Sequence, residues 1–359
     1  MSTNVFLRDP LAAALLERAG TSPQARSLLA LVRDGWDRGD AGGKPPRAAL
    51  RGLAGSSRAY LVAWLHEQLN ASVVWVVPHG ETYEAARDDI EYFAGRAATL
   101  AFPEPDAAPY DPYSPHPSVT AERLETLCRL AAGQAGVVLT TVRGVLQRVP
   151  RPARLAGARL ELKTGADVDP MAVVERLVFL GYERFPEVEA VGHCARRGGI
   201  LDVWPVGWND PLRIEFDGDT IASLRRFDAG TQRSLEKLGE ARVLPRYEII
   251  VDPDKAGAIA ERLRAAGDEA AGAPGRTALG SESGLFHEGM ERYAGHYDPD
   301  LGGLLDHLPP DAVIVLDDPG ALRARADNLW TGIQRGYLDA VTDYPLISKP
   351  EQLDRKSVV

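Results

Sequence analysis

The chain has 359 residues, 45% of them hydrophobic and 26% charged, with a net charge of −10. That much apolar chain supports two or three domains with sizeable cores and excludes wholesale disorder. The acidic balance argues against a protein whose main task is coating a nucleic acid backbone, and two cysteines, Cys128 and Cys194, are too few for a disulfide framework or a cysteine-based zinc site.

No apolar run approaches the ~18 residues that cross a membrane, and Met1–Pro10 lacks the apolar segment of a secretory signal. A reducing cytoplasm is the expected location. Leu11, Leu15 and Leu16, then Leu28, Leu29, Leu31 and Val32, recur at helical spacing. They predict a helical N-terminal cap ahead of the breaker cluster Gly39–Pro46. Strand and helix then alternate. Strands are predicted at Ala48–Leu53, Ser72–Val77, Ala98–Phe102 and Gly136–Thr141, and helices at Tyr60–Leu69, Glu81–Phe93 and Ala121–Ala132. Continuous apolar strands between helices imply a parallel sheet covered on both faces.

The character changes after Pro150-Arg151-Pro152. A strand at Ala158–Leu162 precedes a helix at Pro170–Leu180, with Pro170 near its start and Gly181 past its end. Strand-like runs follow at Gly199–Trp204, Leu212–Phe216 and Thr220–Phe227, the last two joined by Asp217-Gly218, a hairpin signal. This is an α+β insert with antiparallel pairing. Beyond Leu244-Pro245 the sequence predicts a helix at Asp254–Ala266, a Gly/Ala/Ser-rich stretch at Gly267–Gly284, a buried strand at Asp311–Leu316 and a helix from about Ala321 to Gly336. The expected division is 1–151, 152–243 and 244–353. Residues 354–359 look foreign to the pattern and are set aside as a non-native tail.

Three segments bear on chemistry. Gly52-Leu-Ala-Gly-Ser-Ser-Arg-Ala59, which contains Gly55, stands between a predicted strand and a helix, where a phosphate-binding loop of the form G-x-x-x-x-G-K-[ST] would sit. Gly52 fits the first glycine. Ser57 replaces the second, Arg58 the lysine and Ala59 the hydroxyl residue. Ser57 restricts the backbone geometry that cradles phosphate, Arg58 lacks the compact charge of lysine, and Ala59 offers Mg²⁺ no oxygen. A relic loop, a working ATP site and a chance match stay open on residues alone. Val313-Ile-Val-Leu-Asp317-Asp318 resembles a Walker B strand, although strand ends also carry Asp for turn reasons.

The third segment is His193-Cys-Ala-Arg-Arg-Gly-Gly-Ile-Leu-Asp-Val-Trp-Pro205. Alternation sends Arg196 and Arg197 to opposite faces, so at least one is exposed. Arg and Trp204 suit an interaction hot spot, while a solvated turn beside a core Trp is the alternative. Residues 152–243 carry 13 basic against 15 acidic side chains. This is no basic nucleic-acid platform, and a protein partner fits better. Adjacent His193 and Cys194 make a poor nucleophile–base pair, and the seven histidines show no metal-ligand spacing.

These segments together resemble the UvrB-like N-terminal module of the bacterial transcription-repair coupling factors. The most specific matches are Phe102-Pro-Glu-Pro-Asp through Ser114-Pro-His116 with Glu122-Arg-Leu124, then Arg197–Pro205, then Leu212–Leu235. The resemblance covers nearly all of 48–353. It implies a degenerate P-loop, RecA/helicase-like parallel-sheet α/β domain with an inserted α+β domain that docks onto UvrA. It places that contact on Arg197 and Trp204, with Arg196 beside them. A further family arginine falls near Gly181–Arg184, where Glu183 stands at the strict match and Arg184 next to it. The damage-probing hairpin of UvrB has no counterpart, because Phe102–Pro117 is too short.

The resemblance further implies no catalysis and no cofactor in this segment. ATP, Mg²⁺, RNA polymerase and DNA belong to motor and polymerase-binding parts expected beyond Leu353, and the segment is expected to be a monomer without membrane contact. In the family the module also restrains the motor. The runner-up is an active UvrB-type ATP-dependent helicase fragment, with Arg58 in place of lysine and Asp317–Asp318 holding Mg²⁺.

Overall fold

The computed structural model describes residues 9–39, 47–251, 255, 257–259, 261, 286, 288–344 and 347–355. Of the expected features, most of Gly39–Pro46, most of the helix at Asp254–Ala266, all of Gly267–Gly284 and residues 356–359 lie outside them.

The chain opens with α1 (Pro10–Ala19), α2 (Pro23–Gly39) and α3 (Ser57–Leu69). Then come β1 (Val73–Val77), α4 (Gly80–Ala94), β2 (Thr99–Phe102), α5 (Pro117–Ala131) and β3 (Val137–Thr141). Short elements follow: α6 (Val142–Leu146), β4 (Arg148–Val149) and α7 (Pro152–Ala156). Next are β5 (Leu160–Lys163), α8 (Pro170–Phe179), β6 (Glu183–Arg184), β7 (His193–Arg197), β8 (Ile200–Val203), β9 (Leu212–Asp217) and β10 (Thr220–Phe227). The described remainder includes β11 (Ser234–Leu238), β12 (Glu240–Val243), α9 (Ala294–Tyr297), β13 (Gly302–Gly303), β14 (Val313–Leu316), α10 (Pro319–Ala340) and α11 (Pro350–Leu353).

The described residues cluster into two compact units. The first takes those of Met1–Glu104, Ala132–Val145 and His307–Asp327, and the second takes the rest. The boundaries expected at 151/152 and 243/244 both fall inside the second unit.

The first unit holds a four-stranded sheet in the order β14-β1-β3-β2, parallel throughout. All five residues of β1 are buried, as are those of β2 and β3, as continuous apolar runs in a covered parallel sheet require. Leu16 of α1, Val62 and Trp64 of α3, Ile90 of α4 and the β1 side chains Val73, Trp75 and Val77 share one core. Two expectations fail here. Ala48–Leu53 forms no strand: it is exposed, irregular chain. β14 is not buried: among the described residues it pairs with β1 on one side only, and Ile314 and Leu316 are 48% and 45% exposed. Four apolar residues in a row read alike in the middle of a sheet and at its edge.

The second unit is built on a six-stranded sheet in the order β11-β10-β9-β8-β7-β6, antiparallel except for the parallel pair β6–β7. Asp217 and Thr220 pair across the hairpin, and Gly218 takes the φ of +61° that the turn needs. α8 starts at Asp169, whose carboxylate accepts the Met171 N–H at 2.8 Å, and Pro170 fills its first position. Val173, Val174 and Leu177 of α8 pack with Leu201, Val203, Leu212, Ile214, Ile221 and Leu224, so one sheet face is apolar core. β5 and β12 pair antiparallel and add Leu162, Ala241 and Val243 to it. Tyr182 is buried; its hydroxyl donates to the Leu244 carbonyl at 2.9 Å and accepts the Val206 N–H at 3.1 Å.

A second cluster in this unit gathers Tyr247, Met290, Tyr293, Tyr297, Leu301 and Leu353. Asp354 and Arg355, within the segment set aside as a tail, are built into the unit. The Arg355 N–H donates to the Leu146 carbonyl at 2.9 Å, and its guanidinium donates to Asp306 at 2.9 Å. Among the described residues, no helix is long and apolar enough to cross a membrane.

Candidate interaction surface

The loop before α3 lacks the strand that a phosphate-binding loop follows, since 47–54 is irregular. Gly52 and Gly55 do take positive φ, +82° and +55°. The Ser57 hydroxyl closes the turn by donating to the Ala54 carbonyl at 2.7 Å. Ala59 is 0% exposed and packs into the first unit's core. Arg58 Nη1 lies 3.0 Å from Asp317 Oδ2, an ion pair that joins these two segments, with the Arg58 side chain 45% exposed. Asp318 has φ +56°, and its carboxylate accepts the Ala321 N–H at 3.1 Å at the start of α10. That is turn and cap duty.

The arginines of β7 are set out differently. Arg197 stands opposite Ile200 and Arg196 opposite Leu201. Directly opposed residues of an antiparallel pair share a face. Leu201 belongs to the apolar core, so Arg196 lies on the α8 side of the sheet and Arg197 on the other. Both are exposed, because β7 runs out of the core into the Gly198-Gly199 turn. Arg196 Nη1 meets the Met171 sulfur at 2.9 Å. Arg197 Nη1 lies 3.2 Å from Glu187 Oε1. Arg184, exposed on β6, is in register with Cys194. A shallow groove on the α8 side is lined by Val174, Arg184, Phe185, Pro186, Cys194, Arg196 and Leu201, which brings two expected arginines to one place.

Trp204 is not among them. Its N–H donates to the His193 carbonyl, at the far end of β7. At ~3.3 Å per residue, that is about 13 Å along the strand from Arg197. Trp204 is half-buried, and its ring N–H donates to the Trp208 carbonyl at 3.1 Å.

Sequence reasoning missed several neighbours. Glu187 lies ten positions from Arg197, with no periodicity to link them. Phe185 stacks on His193 with ring centroids 3.8 Å apart and planes 12° apart. Burial lowers the His193 pKa, and among the described residues its buried Nδ1 has no hydrogen-bond partner. Asp202, 3% exposed, holds Arg213 through two hydrogen bonds of 2.8 Å, and these raise the Arg213 pKa. Among the described residues, no group of three His, Cys, Asp or Glu side chains is placed to hold a metal ion.

Residues 160–248, which span the six-stranded sheet and α8, match the profile of the UvrB interaction domain. The chain carries a UvrB interaction domain. Arg184, Arg196, Arg197 and Trp204 all lie within it. In an alignment of 326 positions that covers 85% of its length, the chain is 30% identical to a transcription-repair-coupling factor of Myxococcus xanthus. It is 23% identical to that of Bacillus subtilis (strain 168) over 78% of its length, and 34% identical to that of Escherichia coli (strain K12) over 56%. The chain spans 27%, 25% and 17% of those relatives, respectively. The resemblance to the transcription-repair coupling factors therefore holds across most of the chain, and the UvrB interaction domain is the part that carries the paired arginines.

Proposed function

We propose that this chain is a recruitment module that binds UvrA through its UvrB interaction domain and so brings excision repair to stalled RNA polymerase. The observation that carries the reading is the pair Arg196 and Arg197, both exposed at the tip of β7, on opposite faces of one strand. Arginine at such a tip can engage carboxylates of a protein surface on either side. Arg184 extends the contact on the α8 face. Trp204 stands apart and acts as support for the strand end.

The first unit serves as a scaffold without nucleotide chemistry. The buried Ala59 and the Arg58–Asp317 pair support that reading over an active helicase fragment, since the cation and the acid that ATP and Mg²⁺ would need engage each other. RNA polymerase, DNA and ATP would be handled by parts of the coupling factor outside this chain, and the module works as a monomer in the cytoplasm.

Titrating UvrA into the chain at rising salt tests the reading. Association that weakens with salt is expected of arginine–carboxylate contacts. Salt-insensitive association rules out the arginine contact, and absence of association rules out recruitment.

A further inference from the structure

We infer that Glu187 is an internal competitor for Arg197, holding in the free protein the guanidinium that a carboxylate of the partner takes on binding. The inference rests on the recruitment reading above. Glu187 Oε1 lies 3.2 Å from Arg197 Nη1, and the two side chains are 57% and 53% exposed. A pair this open to water is screened and weak, so it exchanges readily for another carboxylate.

The backbone presents Glu187 at this point. Pro186 restricts Phe185 to extended conformations. The Phe185 N–H donates to the Cys194 carbonyl at 2.9 Å, and its ring stacks on His193. Val188, immediately after Glu187, is 4% exposed. The carboxylate is thus carried on a segment anchored on both sides. Arg196 differs: its contact is the uncharged Met171 sulfur. The two arginines are therefore not equivalent. Among the described residues, a partner carboxylate meets Arg196 without displacing an acid, but at Arg197 it must displace Glu187. Glu187 works as a filter: a weakly acidic surface gains little from the exchange, while one that offers carboxylates to both faces of the strand does.

The test compares the chain with Glu187→Gln, Arg197→Met and the double variant. Each is titrated with UvrA and, separately, with an oligoglutamate peptide followed through the arginine side-chain NMR signals. Glu187→Gln is expected to bind both titrants about two- to fivefold more tightly, and the gain is expected to vanish in the Arg197→Met background. Unchanged or weaker binding by Glu187→Gln overturns the inference. So does an equal gain in the Arg197→Met background, which would be a bulk charge effect. If the peptide shows the Arg197-dependent gain while UvrA binds no variant, recruitment falls and the competition stands. If UvrA binds the parent and Glu187→Gln alike, the competition falls and recruitment stands. If neither titrant binds, both fall.

Discussion

Arg58 and Asp317 are 259 positions apart in the chain, yet their side chains meet at 3.0 Å. Arg58 lies in the first turn of α3 and Asp317 directly follows β14, the two segments whose sequences resemble a phosphate-binding loop and a Walker B strand. Here they neutralise one another.

The account therefore predicts that magnesium and ATP leave the unfolding temperature unchanged, since a ligand that binds the folded state would raise it. An upward shift with millimolar nucleotide contradicts this. Arg58→Ala should cost less than ~1 kcal/mol in a urea titration, because the Arg58 side chain is 45% exposed and surface pairs contribute little.

A second pair behaves in the opposite way. Arg123 is 0% exposed and is held by Glu248 and by Gln147 at 2.9 Å. Replacing Glu248 with Ala removes a carboxylate that contacts the buried guanidinium. The expected loss is of order 3–5 kcal/mol, read as a fall in the urea midpoint. A loss under ~1 kcal/mol would show that water reaches the site.

Glu291 sets a pH dependence. Burial is the main cause that pushes its pKa up from 4.5 to about 7, reinforced by Glu248 and Glu288 and opposed by the Ser114 hydroxyl, which donates to it at 2.7 Å. The folded state holds this proton more tightly than the unfolded chain does. Its contribution to stability is greatest below pH 4.5, declines as pH rises to about 7, and is constant above that. Glu291→Gln should remove this decline and raise stability at pH 8 by ~1–3 kcal/mol relative to the parent. Parallel stability–pH curves for parent and variant would show Glu291 ionised in the fold.

Much of this was legible in the sequence, for identifiable reasons. β1, β2 and β3 announce themselves because a covered parallel strand is apolar at every position, and the β9–β10 hairpin is written in Asp217-Gly218. β14 was legible as a strand but not as an edge, since neighbours are a tertiary property. Ala48–Leu53 was read as a strand, but among the described residues it has no partner strand. β11 escaped notice because Ser234–Leu238 is mostly polar and exposed, and β7 was given no bounds because three of the five residues of His193–Arg197 are polar. The opposite facing of Arg196 and Arg197 followed from alternation alone. The separation of Trp204 from them did not, because β7 and β8 run antiparallel and residues close to the turn in sequence diverge along the ladder. Glu187 left no trace, because an exposed acid in a loop has no pattern to break.

The measurement that bears most directly on the central claim is the affinity of this chain for purified UvrA beside the Arg196→Glu/Arg197→Glu variant, with folding of both confirmed by circular dichroism and urea titration. The account predicts that the parent binds and the folded variant does not, since both faces of the β7 tip then repel carboxylates. Equal binding by parent and variant, or no binding by the parent, would contradict it.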